Sequence, residues 1–465
     1  MNQEKYNESL FNFVKNSPTQ YHAVANMAKT LSNNGFTQLR EGEKWIIKPY
    51  SKYFVTRNGS SIIAFLTGDN CPWESGIKLV GAHTDSPSLK VKPIPDVENH
   101  EMVSIGVEIY GGLILSSWLD RGLNLAGRVT VLSLNDDGKE SIFTLLVNYD
   151  SPLATIPSLA IHLDRDVNTK KVLNPQLDML PLLDTIRGSN ENMAKIKFRE
   201  MLLEQVIKQH SNIHIKEVLD FDLSFSDSQP PFFTGANQTM ISSPRLDNLL
   251  SCHAALKSIV RSANGSIDKK FSTNSSSHDV AAANNAAPCM IVCTDHEEVG
   301  SDTASGARGS FLSSVLSRLI PNTEDRVRSY AKSFIISLDN AHALHPSHNE
   351  RHDPNHAPLI NNGPVLKING SQRYASDCES SAMFRYICRC ADIPMQTFVM
   401  RSDMPCGSTI GPAISSSTGI KTVDVGSPTL GMHSIREITG SDDPFMLFKA
   451  INQFFSMDSF PLQVL

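Results

Sequence analysis

The side chains able to do chemistry gather in five short motifs: GAHTDSP (81–87), SPRLDNL (243–249), DHEEVGS (295–301), SLDNAH (337–342) and GMHSIRE (431–437). His83 and His433 supply two imidazoles, and Asp247, Glu298 and Asp339 supply three carboxylates. Mixed imidazole and carboxylate donors suit zinc, with manganese or cobalt as substitutes. Five donors including one bridging carboxylate predict two ions, the first held by His83, Asp247 and Asp339 and the second by Asp247, Glu298 and His433. Paired ions about 3.5–4 Å apart clamp the attacking and leaving atoms of a hydrolysis. Glu297 is left over beside a ligand, where a general base would take a proton from water and hand it to a leaving amine. The expected reaction is hydrolysis of an amide, with an ester or phosphoester as the alternative.

Each motif also has a plainer explanation. His83 and Asp85 form an H-x-D pair, which is either a polar turn or a metal-bound imidazole whose second ring N–H is held by a carboxylate. Asp247 follows Ser-Ser-Pro-Arg-Leu and could simply cap a helix. Glu297 and Glu298 could form a solvated acidic turn, but burying both as charges is costly unless a cation neutralises one. His342, His345, His348, His352 and His356 crowd one segment in which Pro346 and Pro354 forbid a long helix. They read as loop residues, with His342 the one expected to approach the site. In RSDMPCGSTIGP (401–412), Cys406 would need a histidine base to act as a nucleophile, so a loop that positions substrate is the better reading. No Gly-rich phosphate loop, HExxH or G-x-S-x-G motif is present.

The elements that must hold these motifs follow from apolar periodicity. Ser61–Leu66, Ile77–Val80, Met290–Thr294, Phe334–Leu338 and Thr422–Val425 read as strands, and four of them run into a motif. Leu10 to Leu31 and Leu246 to Val260 carry helical stripes, the second opening at Asp247. Strands alternating with helices predict an α/β fold, a mostly parallel sheet flanked by helices, in which ligands bind off the carboxyl ends of the strands. The stretch from Met102 to about Gly235 mixes strands, Pro-rich turns and one helical segment, Glu191–Gln209. It interrupts the α/β pattern, so residues 1–92 and 237–465 are expected to form one discontinuous domain and 93–236 an insertion. Residues 261–288, rich in Ser, Asn and Ala, read as a disordered surface insertion.

The chain as a whole narrows the classes. Its 465 residues allow one or two domains with a large core. A net charge of −6 with no basic run argues against nucleic acid as a partner. No apolar stretch approaches the ~20 residues of a membrane span, and the N-terminus lacks the apolar centre of a secretory signal. Eight scattered cysteines without a CxxC pair read as reduced thiols, which predicts a cytoplasmic location.

The chain resembles the aspartyl aminopeptidases, a family of dinuclear zinc exopeptidases. The likeness runs over nearly the whole length, through FVKNSPTQYHAV, GAHTDSP, YGG with WLDRGLNLAGRV, IPSLAIHLDR, SPRLDNL, the EEVGS core, AHALHP, GPVLKINGSQRYAS, PCGSTIGP and GMHSIRE. The resemblance implies removal of an N-terminal Asp or Glu from peptides. It places two zinc ions on His83, Asp247, Glu298, Asp339 and His433, with Glu297 as base. It further implies that Lys367 meets the substrate's acidic side chain with Tyr374 close by, a compact cation suited to a carboxylate. From the residues alone, Lys367 reads as a strand lysine with its charge at the surface. The resemblance also makes 93–236 a dimerisation and lid domain, His162 a transition-state donor to a neighbouring subunit, and the assembly a homo-oligomer of dimers, a dodecamer. His296 stands where the family commonly has Asn, and SDTASGARG and LILSS depart from its pattern, which touches the pocket rim and not the metals. The rivals are another dinuclear zinc amidohydrolase, such as a deacylase or carboxypeptidase, and a non-enzymatic assembly or cargo protein. Retention of Glu297 and all five ligands argues against the second.

Overall fold

The computed structural model describes residues 1–68, 72–134, 137–170, 172–185, 197–265 and 287–457. A nine-stranded sheet forms its centre, in the order Thr37–Leu39, Lys52–Arg57, Ser61–Leu66, Cys289–Thr294, Lys78–His83, Phe334–Leu338, Lys421–Gly426, Val365–Ile368 and Gln396–Val399. The four middle strands, from Cys289–Thr294 to Lys421–Gly426, are mutually parallel. Antiparallel pairs flank them on both sides. These central strands read as almost unbroken apolar runs because both faces are covered. Alternate residues serve opposite layers. Ile291 and Cys293 pack with the helices Gln20–Asn33, Leu246–Ala263 and Asp443–Ser456. Met290 and Val292 pack with Phe311–Leu319 and Ile410–Thr418.

A second, antiparallel sheet of six strands comes from residues 88–227. The strand Ser88–Asn99 carries the chain into it across residues 92 and 93. Its core comes almost entirely from this part of the chain, with Ile435 joining from outside, Leu125, Val129 and Val131 alternating inward and the helix Phe198–Gln209 laid over them through Phe198, Leu202 and Val206. A third sheet of five short strands joins Ala341–His342, Pro428–Leu430 and Glu437–Gly440 to Phe232–Thr234 and Met240–Ser243.

The mixed α/β class and the strand–motif alternation are as the sequence predicts, with three differences. The N-terminal helical stripe is two helices, Gln3–Lys15 and Gln20–Asn33, broken around Pro18, whose ring has no N–H to continue the first. The helix expected over Glu191–Gln209 spans Phe198–Gln209, and residues 191–196 lie outside the described residues. Arg261–Ala263, assigned to the disordered insertion, complete the helix Leu246–Ala263; residues 266–286 of that insertion lie outside the described residues.

Candidate metal centre

Three strand ends, the head of one helix and one turn converge at one point. His83 is the last residue of its strand, and Asp339 directly follows Phe334–Leu338, its N–H bonded to the Val425 carbonyl at 3.0 Å. Glu297 and Glu298 lie on a single 3-10 turn after Cys289–Thr294, bounded by His296 (φ 64°) and Gly300 (φ 99°). Asp247 stands at the head of the helix Leu246–Ala263 but off helical geometry (φ −82°, ψ 104°). The next residue, Asn248, bonds the Leu338 carbonyl at 2.8 Å, which ties Asp247 to the strand that delivers Asp339. His433 arrives by a longer route than expected. The strand Pro428–Leu430 of the third sheet separates it from Lys421–Gly426, and it sits in a turn at φ 68°.

Both imidazoles are oriented alike. His83 Nδ1 lies 3.0 Å from the Asp85 carbonyl, and His433 Nδ1 lies 2.9 Å from the Gly112 carbonyl. Each carbonyl takes the ring N–H and so leaves Nε2 as a lone pair facing inward. His83 Nε2 faces Asp247 Oδ1 at 3.3 Å and Asp339 Oδ1 at 3.7 Å. His433 Nε2 faces Glu298 Oε2 at 3.3 Å and Asp247 Oδ2 at 3.7 Å. Asp247 thus stands between the two rings with one oxygen toward each.

This donor set suits metal. His83, Asp247 and Asp339 form one group, Asp247, Glu298 and His433 a second, and His83, Glu297 and Glu298 a third, with the donor atoms of each group within 4.8 Å of one another. Asp247 Oδ1 and Glu298 Oε1 are buried without a hydrogen-bond partner. Buried carboxylate oxygens left unpaired are costly, and divalent cations among them remove that cost. Burial raises Glu297 to about 8 and Glu298 well above its ordinary range; His83 opposes the shift while neighbouring carboxylates, Asp247 among them, add to it.

Asp85, fully buried, lies beside the His83 ring. Its backbone carbonyl is closer to the His83 ring than its carboxylate, whose nearer oxygen is 3.4 Å away. The carboxylate also accepts the N–H groups of Glu297 (3.2 Å) and Glu298 (3.1 Å) and the Tyr110 hydroxyl (2.7 Å). It fixes the turn that carries both glutamates. Glu437 was not foreseen. It is 2% exposed and accepts from the N–H of Asp247 (2.9 Å) and of His433 (3.0 Å), so one carboxylate sets the positions of two donors. Its place four residues after His433 in GMHSIRE is the signal that could have found it.

Lys367 is 2% exposed, which overturns its reading as a surface-directed charge. Its ammonium bonds Asp339 Oδ2 at 3.2 Å and the Asn340 carbonyl at 3.1 Å, and lies 5.0 Å from the Tyr374 ring centre. His342 approaches as expected, its ring against Phe398, and burial brings its pKa down to about 4. The other four histidines stay in the loop: His345 and His348 are exposed, and His352 and His356 are half-buried. His162 is exposed in a turn and bonds to none of the converging residues.

The chain matches the family model "Aminopeptidase I zinc metalloprotease (M18)" over residues 13–455. It belongs to the M18 family of zinc aminopeptidases. A "Probable M18 family aminopeptidase 2" of Pseudomonas fluorescens (strain SBW25) is 43% identical over 458 residues, covering 98% of this chain and all of that one. A chain of the solved "Ape4 and Nbr1 complex" superposes with a TM-score of 0.88 at 35% identity, over 97% of this chain and 86% of that one. The "S. cerevesiae mApe1 dodecamer" superposes at 0.79 with 28% identity, over 97% and 96%. This M18 aminopeptidase therefore uses zinc, and it retains its five candidate ligands and Glu297 within one converging site.

Proposed function

We propose that this zinc aminopeptidase releases N-terminal Asp and Glu from peptides, with two zinc ions on the five converging donors and Glu297 as base. One observation carries the acidic specificity: a fully buried ammonium, that of Lys367, sits against Asp339 at the rim of the donors with an N–H to spare. A lysine has three N–H donors, and two are used here. An acidic side chain is the substrate group that best uses a third in so dry a place.

His83, Asp247 and Asp339 would hold one zinc, and Asp247, Glu298 and His433 the other. Zinc supplies Lewis acidity to the scissile carbonyl and makes water acidic enough to react near neutral pH. The chain's own groups do the rest. Glu297 takes a proton from the attacking water on its free carboxylate oxygen and delivers it to the departing amine. Asp85 keeps the Glu297 backbone in place during both transfers. Glu437 holds Asp247 and His433 at their separation. Tyr374, 4% exposed and with its ring centre 5.0 Å from the Lys367 ammonium, would flank the acidic side chain that Lys367 meets.

Residues 93–236 serve as a dimerisation and lid domain beside the discontinuous domain of 1–92 and 237–465. Leu159, Ile161 and Leu163, 50%, 47% and 75% exposed around His162, support a subunit contact there. In that contact His162 would reach a neighbour's site, and the assembly would be a dodecamer like that of the S. cerevesiae relative. The proteins would work in the cytoplasm, and among the described residues no helix is long and apolar enough to cross a membrane.

The specificity is tested by substituting Lys367→Met and comparing peptides that begin with Asp, Glu, Ala and Leu. The expected result is a loss confined to the acidic peptides, with zinc content retained. Equal losses on all four would reject the pocket. Cleavage of N-acetylated peptides in preference to free amines would favour a deacylase instead.

A further inference from the structure

Asp424 has no part in the chemistry above, yet it is fully buried beside the Lys367–Tyr374 pocket. It lies on the strand Lys421–Gly426, which pairs antiparallel with Val365–Ile368 through Leu366↔Val425 and Val365↔Gly426. One step further along that register stands Lys367 opposite Asp424. The carboxylate spends both oxygens on loop segments. Oδ2 accepts the Ala375 N–H at 2.6 Å, and Oδ1 accepts the Thr409 hydroxyl at 2.7 Å. Its own N–H donates to Ser376 Oγ at 2.9 Å. Gly411 comes so close that a Cβ there would lie 2.3 Å from Oδ2.

The two segments are also stitched to each other. Arg373 Nε donates to the Cys406 carbonyl at 3.1 Å, and Ser408 Oγ to the Arg373 carbonyl at 3.2 Å. Cys406 packs against the apolar cluster that contains Tyr374. Tyr374 therefore sits on a pair of loops that one residue of the sheet, Asp424, holds through both its carboxylate and its backbone N–H.

We propose that Asp424 is the positioning residue of the acid-recognition pocket, pinning the 373–376 and 405–411 segments to the sheet so that Tyr374 stays over Lys367. The inference rests on the acidic specificity proposed above. It differs from a counter-ion role for Asp424, because an uncharged side chain with the same shape would serve. Asparagine can accept from the Ala375 N–H and donate to Thr409 Oγ, whereas alanine can do neither.

The test uses the full-length zinc enzyme with Asp424→Ala and Asp424→Asn, and reads two quantities. The first is the split between kcat and KM on a peptide beginning with Asp. The second is the rate at which iodoacetamide alkylates Cys406 in the native protein, followed by mass spectrometry of its peptide. Loss of two hydrogen bonds to a charged group predicts that Asp424→Ala raises KM about tenfold or more, with kcat within about threefold. Cys406, half-buried against Tyr374, is expected to react about tenfold faster once the loops are released. Asp424→Asn is expected to restore both quantities to near wild type. Unchanged Cys406 reactivity and KM in Asp424→Ala would overturn the proposal, as would an asparagine variant as damaged as the alanine one. Should Asp424→Ala fail to fold, Thr409→Val cuts a single link and must still speed Cys406 alkylation; no change there overturns the tether. A wild type without acid preference would sink the proposed specificity, and the Cys406 rate would then decide the tether by itself.

Discussion

Glu297 and Glu298 are chain neighbours with different surroundings. Glu298 Oε2 meets the His433 ring at 3.3 Å, while Glu297 belongs only to the group with His83 and Glu298. With Glu297 as the base, Glu297→Gln is expected to lower kcat by about 10²–10⁴ while zinc content stays at the wild-type level. Metal analysis beside steady-state rates checks this, and a wild-type rate would end the assignment. A second residue-scale prediction concerns stability. His253 is 1% exposed and packed on Tyr6, and burial holds its pKa well below the ordinary value. The unfolded chain then binds a proton that the folded chain refuses. Stability is full above about pH 6.5 and falls as pH drops below that unfolded value. His253→Leu is expected to flatten the fall in unfolding temperature between about pH 7 and 5 relative to wild type; parallel curves would contradict this. The convergence of the five candidate donors and Glu297 was legible because their residue types have few other reasons to cluster. Glu437 and the burial of Lys367 were not, because each depends on a partner far away in the chain: Asp247 in one case, Asp339 in the other.

At the scale of elements, donors are placed by close approaches of backbone. Gly426, at the end of its strand, lies so near the Asp339 carbonyl that a Cβ would sit 1.9 Å from that oxygen. Gly426→Ala must push Asp339 aside or distort the strand, and overpacking of this kind costs about 1–3 kcal/mol. The expected outcome is a lower unfolding temperature together with weaker zinc retention in a chelator titration. Loss of stability with unchanged zinc retention would mean that Asp339 is held independently of this contact. Strand positions were readable from apolar runs bounded by motifs, since strands covered on both faces leave that pattern. The three-residue strand Pro428–Leu430, which redirects the chain before His433, was not. It is too short to leave a period, and it exists only because Ala341–His342 and Glu437–Gly440 pair with it.

The whole molecule divides its work between sheets. The central parallel sheet delivers His83, Glu298 and Asp339 from its strand ends, as such sheets generally do. The six-stranded sheet reaches the same place through Tyr110 and the Gly112 carbonyl, which hold Asp85 and His433. Ile94, Ile142, Val172 and Leu177, 88%, 64%, 88% and 71% exposed, also belong to the part of the chain around this sheet. Exposed apolar side chains of this kind are what the contacts of the proposed assembly would cover. Light scattering after size exclusion is expected to give a mass several times the 51.1 kDa chain, and Leu163→Glu is expected to lower it; a wild-type monomer would refute the proposed assembly. The most direct test of the proposed function is release of the first residue from a peptide series varied only at that position, with and without a zinc chelator. Release confined to Asp and Glu, abolished by the chelator and restored by zinc, is the predicted result; release of Leu or Ala as fast as Asp would contradict it.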